Sequence, residues 1–318
     1  MTDAPLITLE AIHAARRRIA PYVGQTPIVA MTPSGLRLKA ESLHPIGAFK
    51  LRGAFNAILS LDADARAAGI VAHSSGNHAQ AVAFAAQRLG VHAVVVMPSD
   101  APAIKIDGVR RSGAELLLVG SASAERAQRA AAVAVERGLT LIEPFNQDAI
   151  MAGTGSIGLE ILEQAPGVET VFAPVSGGGL LAGLATAIKL TRPNVRVIGV
   201  EPELAADAFE SFRAGRIVSF TADEVARTLA DGLRVQKLGA RTWPHIRAYV
   251  DEIVTVSETE MKAAMRQIAA ESRLIAEPSG AVAIAGALAH ASENAHGVAV
   301  LSGGNVDPAL YAAILAET

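Results

Sequence analysis

The chain has 318 residues, 51% of them hydrophobic, 19% charged and 4% aromatic, about twice the length of a typical domain and enough to bury a sizeable aliphatic core. It contains no cysteine, which excludes a disulfide framework, a thiolate zinc site, an iron–sulfur cluster and a cysteine nucleophile, and fits a reducing, cytoplasmic setting. A net charge of −3 with 28 basic residues speaks against nucleic acid or a membrane as partner and for a small substrate.

The opening Met1-Thr2-Asp3-Ala4-Pro5 lacks a basic run followed by an apolar one, so no export signal is expected. A helix is predicted from near Thr8, carrying Arg16, Arg17 and Arg18. From residue 69 onward, short β-branched runs alternate with helices whose small apolar residues recur every three or four positions, the rhythm of parallel sheets. Strands are predicted over 69–73, 92–97, 115–119 and 139–142, with one helix following the Ser74–His78 segment and others spanning 104–111 and 124–137. A helix over 149–164 opens a second block with strands over 171–175, 195–200, 253–256 and 298–301. Residues 170–188 carry no charge and imitate a membrane span, but Pro174, Ser176 and three consecutive glycines break it into a strand, a loop and a helix over 180–190. Two α/β blocks with ligands at the carboxyl ends of strands are therefore expected.

No Gly-Lys dipeptide, Gly-x-Ser-x-Gly or His-Glu-x-x-His occurs, which removes the signatures of a nucleotide P-loop, a nucleophile-elbow hydrolase and a zinc protease. Gly153-Thr-Gly155-Ser-Ile-Gly158 matches the dinucleotide pattern. It follows a helical stretch instead of a strand, so these glycines read mainly as small residues for close helix packing or for loop-to-helix entry.

Four segments carry the chemistry. Pro45-Ile46-Gly47-Ala48-Phe49-Lys50-Leu51-Arg52-Gly53-Ala54 embeds one lysine among apolar and small residues. Alone it reads as a surface lysine at a helix start; desolvated, Lys50 is an amine suited to Schiff-base formation and proton removal. Ser176-Gly177-Gly178-Gly179-Leu180, between a strand and a helix, can converge backbone N–H groups on a monophosphate, or form a plain tight turn. Ser74-Ser75-Gly76-Asn77-His78 offers an anion cradle for a carboxylate, or an ordinary helix cap. Leu301-Ser302-Gly303-Gly304-Asn305 ends another strand and presents Ser302 to the cleft.

In this order and over nearly the whole chain, the four segments resemble those of the fold type II pyridoxal-phosphate enzymes, nearest the serine/threonine dehydratases and serine racemases. The resemblance implies two three-layer α/β domains with mostly parallel open sheets, of the tryptophan synthase β type: a larger one from residues 1–68 and 148–318, and a smaller one from 69–147. It implies that Lys50 forms the Schiff base with pyridoxal phosphate and that Ser176, Gly177, Gly178, Gly179 and Leu180 cup the phosphate. Phe49 packs near the ring, Asn77 bonds the ring hydroxyl and Ser302 the ring nitrogen. A neutral serine at that nitrogen favours prompt β-elimination over transamination. Ser74, Ser75, Asn77 and His78 surround the substrate carboxylate, and Ser75 is the residue that in racemases stands on the opposite face of the ring.

The expected activity is dehydration and deamination of a β-hydroxy amino acid such as L-threonine or L-serine to a 2-oxo acid and ammonia. The alternatives are 3-hydroxyaspartate dehydration, with His44, Arg126 or Arg234 meeting the second carboxylate, and serine racemisation. Outside the family stand an NAD-linked oxidoreductase, resting on the Gly153 triplet, and a non-catalytic small-ligand-binding protein. Glu201, Ala205 and Asp207 match the divalent-cation segment of the group, for magnesium or calcium, and a homodimer is implied. The chain departs from the family pattern at Ala48, at Ser176 and across 231–237.

Overall fold

The computed structural model describes residues 5–74, 76–101, 103–120, 123–290 and 296–317. Its ten strands are β1 (Ile28–Ala30), β2 (Arg37–Ala40), β3 (Ile70–His73), β4 (Ala93–Pro98), β5 (Glu115–Val119), β6 (Thr140–Ile142), β7 (Thr170–Pro174), β8 (Arg196–Pro202), β9 (Glu252–Val256) and β10 (Gly297–Leu301). They form a four-stranded sheet in the order β5-β4-β3-β6 and a six-stranded sheet in the order β1-β2-β10-β7-β8-β9. Among the described residues, every pairing of these strands is parallel except β1 with β2.

Both sheets are covered on two faces, and the side-chain period of two shows how. Along β4, Val94 and Val96 pack with Ala130 and Val133 of helix Ser123–Arg137. Val95 and Met97 point the other way, onto Ala79 and Ala83 of helix Asn77–Leu89 and Ile106 and Val109 of helix Ala103–Arg111. In the larger sheet, Val171, Ala173, Val298 and Val300 face helices Asp148–Gln164 and Gly179–Thr191. Phe172, Ala299 and Leu301 face helices Glu258–Ser272 and Pro278–Ala289. Strands buried on both faces read as continuous apolar runs, which is why the expected α/β class with mostly parallel sheets holds.

The strands of the four-stranded sheet all lie between Ile70 and Ile142, whereas the six-stranded sheet takes strands from both sides of that stretch. The membrane-like run resolves into β7, the glycine loop and helix Gly179–Thr191. No helix among the described residues is long and apolar enough to cross a membrane. Gly153, Gly155 and Gly158 lie inside helix Asp148–Gln164. A Cβ on Gly155 would approach Gly183 O at 3.0 Å and one on Gly158 would approach Leu184 O at 2.9 Å, so these glycines seat two helices against each other. The β1–β2 hairpin was not expected from the sequence. Its strands are short, and Lys39 within β2 is fully buried, with Nζ 2.6 Å from Glu160 Oε2.

Candidate active site

Lys50 begins helix Lys50–Leu59. The segment before it is stitched to the Leu301–Asn305 segment by backbone bonds: Phe49 N donates to Ser302 O (3.0 Å) and Gly304 N to Gly47 O (2.9 Å). Gly47 has a φ of +69°, and a Cβ there would strike Asn305 Oδ1 at 2.5 Å, so only glycine suits the turn that delivers the lysine. Behind Lys50 a buried charge network locks the helix. Arg52 donates through Nε to Glu41 Oε2 (2.7 Å) and through Nη1 to Glu160 Oε1 (2.6 Å). The Lys50 Nζ donates to Pro144 O (3.0 Å) and lies 5.0 Å from the centre of the Phe49 ring. Burial without a carboxylate partner lowers its pKa to about 8.

The glycine loop follows β7. Ser176 (φ +57°) and Gly178 (φ +90°) adopt left-handed conformations, which turns the chain sharply into helix Gly179–Thr191. The loop is braced from below: Thr242 Oγ1 donates to Gly177 O (2.7 Å), as does Gly239 N (3.2 Å). Free N–H groups at a helix start after such a turn form a concave donor set for an anion.

From β3 the chain enters helix Asn77–Leu89 through the third segment. Asn77 is oriented from two sides, donating from Nδ2 to Glu277 Oε1 (2.5 Å) and accepting at Oδ1 from Asn305 Nδ2 (2.8 Å). His78 is buried with Nε2 3.1 Å from Ile142 O. Burial, and then the neighbouring Lys50 charge, hold its pKa near 3. The ring is therefore neutral; with a carbonyl as partner Nε2 carries the hydrogen, and Nδ1 has no hydrogen-bond partner. Ser75 lies outside the described residues.

These segments converge on one cavity of about 530 Å³. Phe49, Lys50, Ser74, Asn77, His78, Ser176, Gly177, Gly178, Gly179, Leu180 and Ser302 all line it. Arg126 and Arg234 are in the wall as well, with Arg234 Nε donating to Thr228 O (3.0 Å). The expectation for His44 fails. Its Nε2 is paired with Glu41 Oε2 at 3.1 Å and it does not reach the cavity, because Glu41 draws it into the buried network. Lys105, Glu143 and Glu277 also line the cavity and were not singled out in the sequence, each being a lone charge in an element without a motif. Asp231, in the wall as well, lies in the 231–237 stretch marked as a departure.

Glu201, at the end of β8, and Asp207 are both buried. Glu201 Oε2 accepts from Ala208 N (2.9 Å) and Phe209 N (3.0 Å), while its Oε1 and both Asp207 carboxylate oxygens have no hydrogen-bond partner. Burial raises the pKa of each, that of Asp207 to about 7. Ala205 is buried in the short turn Glu203–Ala205 between them. Among the described residues no group of three or more histidine or carboxylate side chains gathers as for a metal.

The family profile described as pyridoxal-phosphate dependent enzyme matches residues 19–303. The chain is 41% identical over 310 residues to the serine racemase of Arabidopsis thaliana, covering 93% of this chain and 92% of that one. It is 39% identical over 310 residues to the L-threo-3-hydroxyaspartate ammonia-lyase of Saccharomyces cerevisiae, with 95% and 94% covered. Among solved structures, that of maize serine racemase superposes with a TM-score of 0.90 at 37% identity, over 98% of this chain and 97% of that one. The reading as an NAD-linked oxidoreductase falls with these matches, since the glycines that prompted it are helix-packing residues. A lysine with a loosened proton facing a braced glycine loop is the arrangement a phosphorylated aldehyde needs, and with the profile spanning both sheets the chain belongs to the family of pyridoxal-phosphate dependent enzymes.

Proposed function

We propose that this enzyme is a lyase that eliminates water from a β-hydroxy amino acid such as L-threonine or L-serine, after which hydrolysis replaces the amino group, releasing ammonia and leaving a 2-oxo acid. One observation carries the reading: a single cavity gathers residues of all four segments around Lys50, whose pKa is lowered to about 8. Pyridoxal phosphate, when bound, supplies the electrophilic carbon for the substrate amine and the electron sink for the α-carbon.

The chain's own residues do the rest. Lys50 would anchor the cofactor and, as the neutral amine, would take the α-proton. The backbone of Ser176–Leu180 would hold the phosphate. Asn77, fixed by Glu277 and Asn305, would hold the ring hydroxyl, Ser302 the ring nitrogen and Phe49 the ring. Ser74, Ser75 and Asn77 bind the substrate carboxylate, with His78 beside them as a neutral wall. Racemisation needs a proton donor on the opposite face, and Ser75 is the residue proposed for it.

A cation site for magnesium or calcium is proposed at Glu201 and Asp207, completed by the Ala205 carbonyl. Its support is three buried carboxylate oxygens without partners, a donor set suited to a hard cation. We also propose the division into domains 1–68 with 148–318 and 69–147, a homodimer and a cytoplasmic location. Purified protein given pyridoxal phosphate is expected to release ammonia and 2-oxo acid from L-threonine or L-serine, and Lys50→Ala to lower the rate about a thousandfold or more. Turnover that survives in Lys50→Ala contradicts the reading.

A further inference from the structure

Lys105 lies on helix Ala103–Arg111, beside the four-stranded sheet, and is 4% exposed. Its ammonium forms an ion pair with Asp231 and lies 3.8 Å from Glu277 Oε2, a buried oxygen without a hydrogen-bond partner. Asp231 begins the short turn Asp231–Leu233, and Glu277 immediately precedes helix Pro278–Ala289; both belong to the half of the molecule built on the six-stranded sheet. The pair thus spans the cavity that Lys105, Asp231 and Glu277 all line. The lysine stem passes Gly76, where a Cβ would come within 3.0 Å of Lys105 Cδ. The ammonium is thereby held against the loop assigned to the substrate carboxylate. Neither member of the pair has a part in the elimination as proposed above.

We propose that Lys105 and Asp231 form a specificity-determining pair, which sets how well the cavity accepts a β-hydroxy amino acid bearing a side-chain carboxylate relative to one bearing a methyl group. The inference rests on the β-elimination reading above. Lys105 is the attractive element for a second carboxylate. Asp231 is the opposing one, since it occupies the ammonium and repels an incoming anion. A methyl group is indifferent to both charges. Removing the Asp231 charge therefore favours the dicarboxylate, and removing the Lys105 charge disfavours it. Loss of packing alone does not produce opposite signs. Arg126 and Arg234 stay the same in both variants, so their pull cancels in the comparison.

The test uses protein reconstituted with pyridoxal phosphate, measuring kcat/KM for ammonia release from L-threo-3-hydroxyaspartate and from L-threonine. The ratio of the two is expected to rise about tenfold or more in Asp231→Asn and to fall about tenfold or more in Lys105→Met. Lys105→Arg keeps the charge and is expected to stay near the parent ratio. The visible absorption of the bound cofactor in each variant shows that the site has assembled. Ratios that stay within about twofold of the parent, or that move in the same direction in Asp231→Asn and Lys105→Met, overturn the proposal. Parent protein that releases ammonia from neither substrate, nor from L-serine, overturns the β-elimination reading instead, and this inference with it.

Discussion

At the scale of single residues, chemistry follows from where one amine is placed. Lys50 has a backbone carbonyl as hydrogen-bond partner and no carboxylate to hold its proton, so burial alone sets its affinity. A lysine in water titrates near 10.4; one lowered to about 8 is a neutral amine in a useful fraction at physiological pH. Only the neutral amine attacks an aldehyde. The rate at which cofactor-free protein captures pyridoxal phosphate is therefore expected to climb with pH up to about 8 and then level off. Stopped-flow absorbance across that range checks this, and a rate still climbing above pH ~10 would mean an ordinary lysine.

The residues around Lys50 were legible to different degrees. Asn77, Ser302 and the glycine loop sit in runs whose composition announces a turn or a cap. Lys105 and Glu277 do not: one lysine on an amphipathic helix and one glutamate before a proline look like solvated charges. Only the crossing of two sheets places them together. His44 failed for the complementary reason, since its partner Glu41 is three residues away and the pair is buried by elements far along the chain.

Among the elements, the helices that carry the site are set by small residues more than by large ones. Gly183 lies where helix Gly179–Thr191 meets helix Asp148–Gln164, and a Cβ there would overlap Met151 O and come within 2.6 Å of Thr154 Oγ1. Gly183→Ala is expected to cost about 1–3 kcal/mol, read as a lower urea midpoint. Because the same helix starts at the glycine loop, weaker cofactor retention should accompany it. The buried carboxylates Glu201, at the end of β8, and Asp207 belong to this scale too. Addition of magnesium or calcium is expected to raise the melting temperature, and Asp207→Asn to abolish the rise. Indifference of the parent protein to chelator and to added cation would contradict the cation site. Strands buried on both faces were readable from unbroken apolar runs, whereas β1 and β2 were not. β2 places buried Lys39 beside Glu160, and a charge in a strand mimics a loop until its distant partner is known.

For the whole molecule, the decisive fact is that the four segments, spread from Pro45 to Asn305 in the sequence, meet at one cavity. Strand ends from both sheets open into it: β3 delivers Ser74 and Asn77, β7 the glycine loop and β10 Ser302. This follows the general rule for parallel α/β sheets, and it explains why spacing and order could be read before any contact was seen. The salt bridge across the cavity is a property of the assembled molecule alone. Under the proposed function, Lys50 holds pyridoxal phosphate covalently in this cavity. The most direct test is the absorption spectrum of purified protein mixed with pyridoxal phosphate, before and after borohydride, for the parent and Lys50→Ala. A visible band that borohydride removes, present in the parent and absent from Lys50→Ala, is the predicted result; no band in the parent, or the same band in Lys50→Ala, would contradict it.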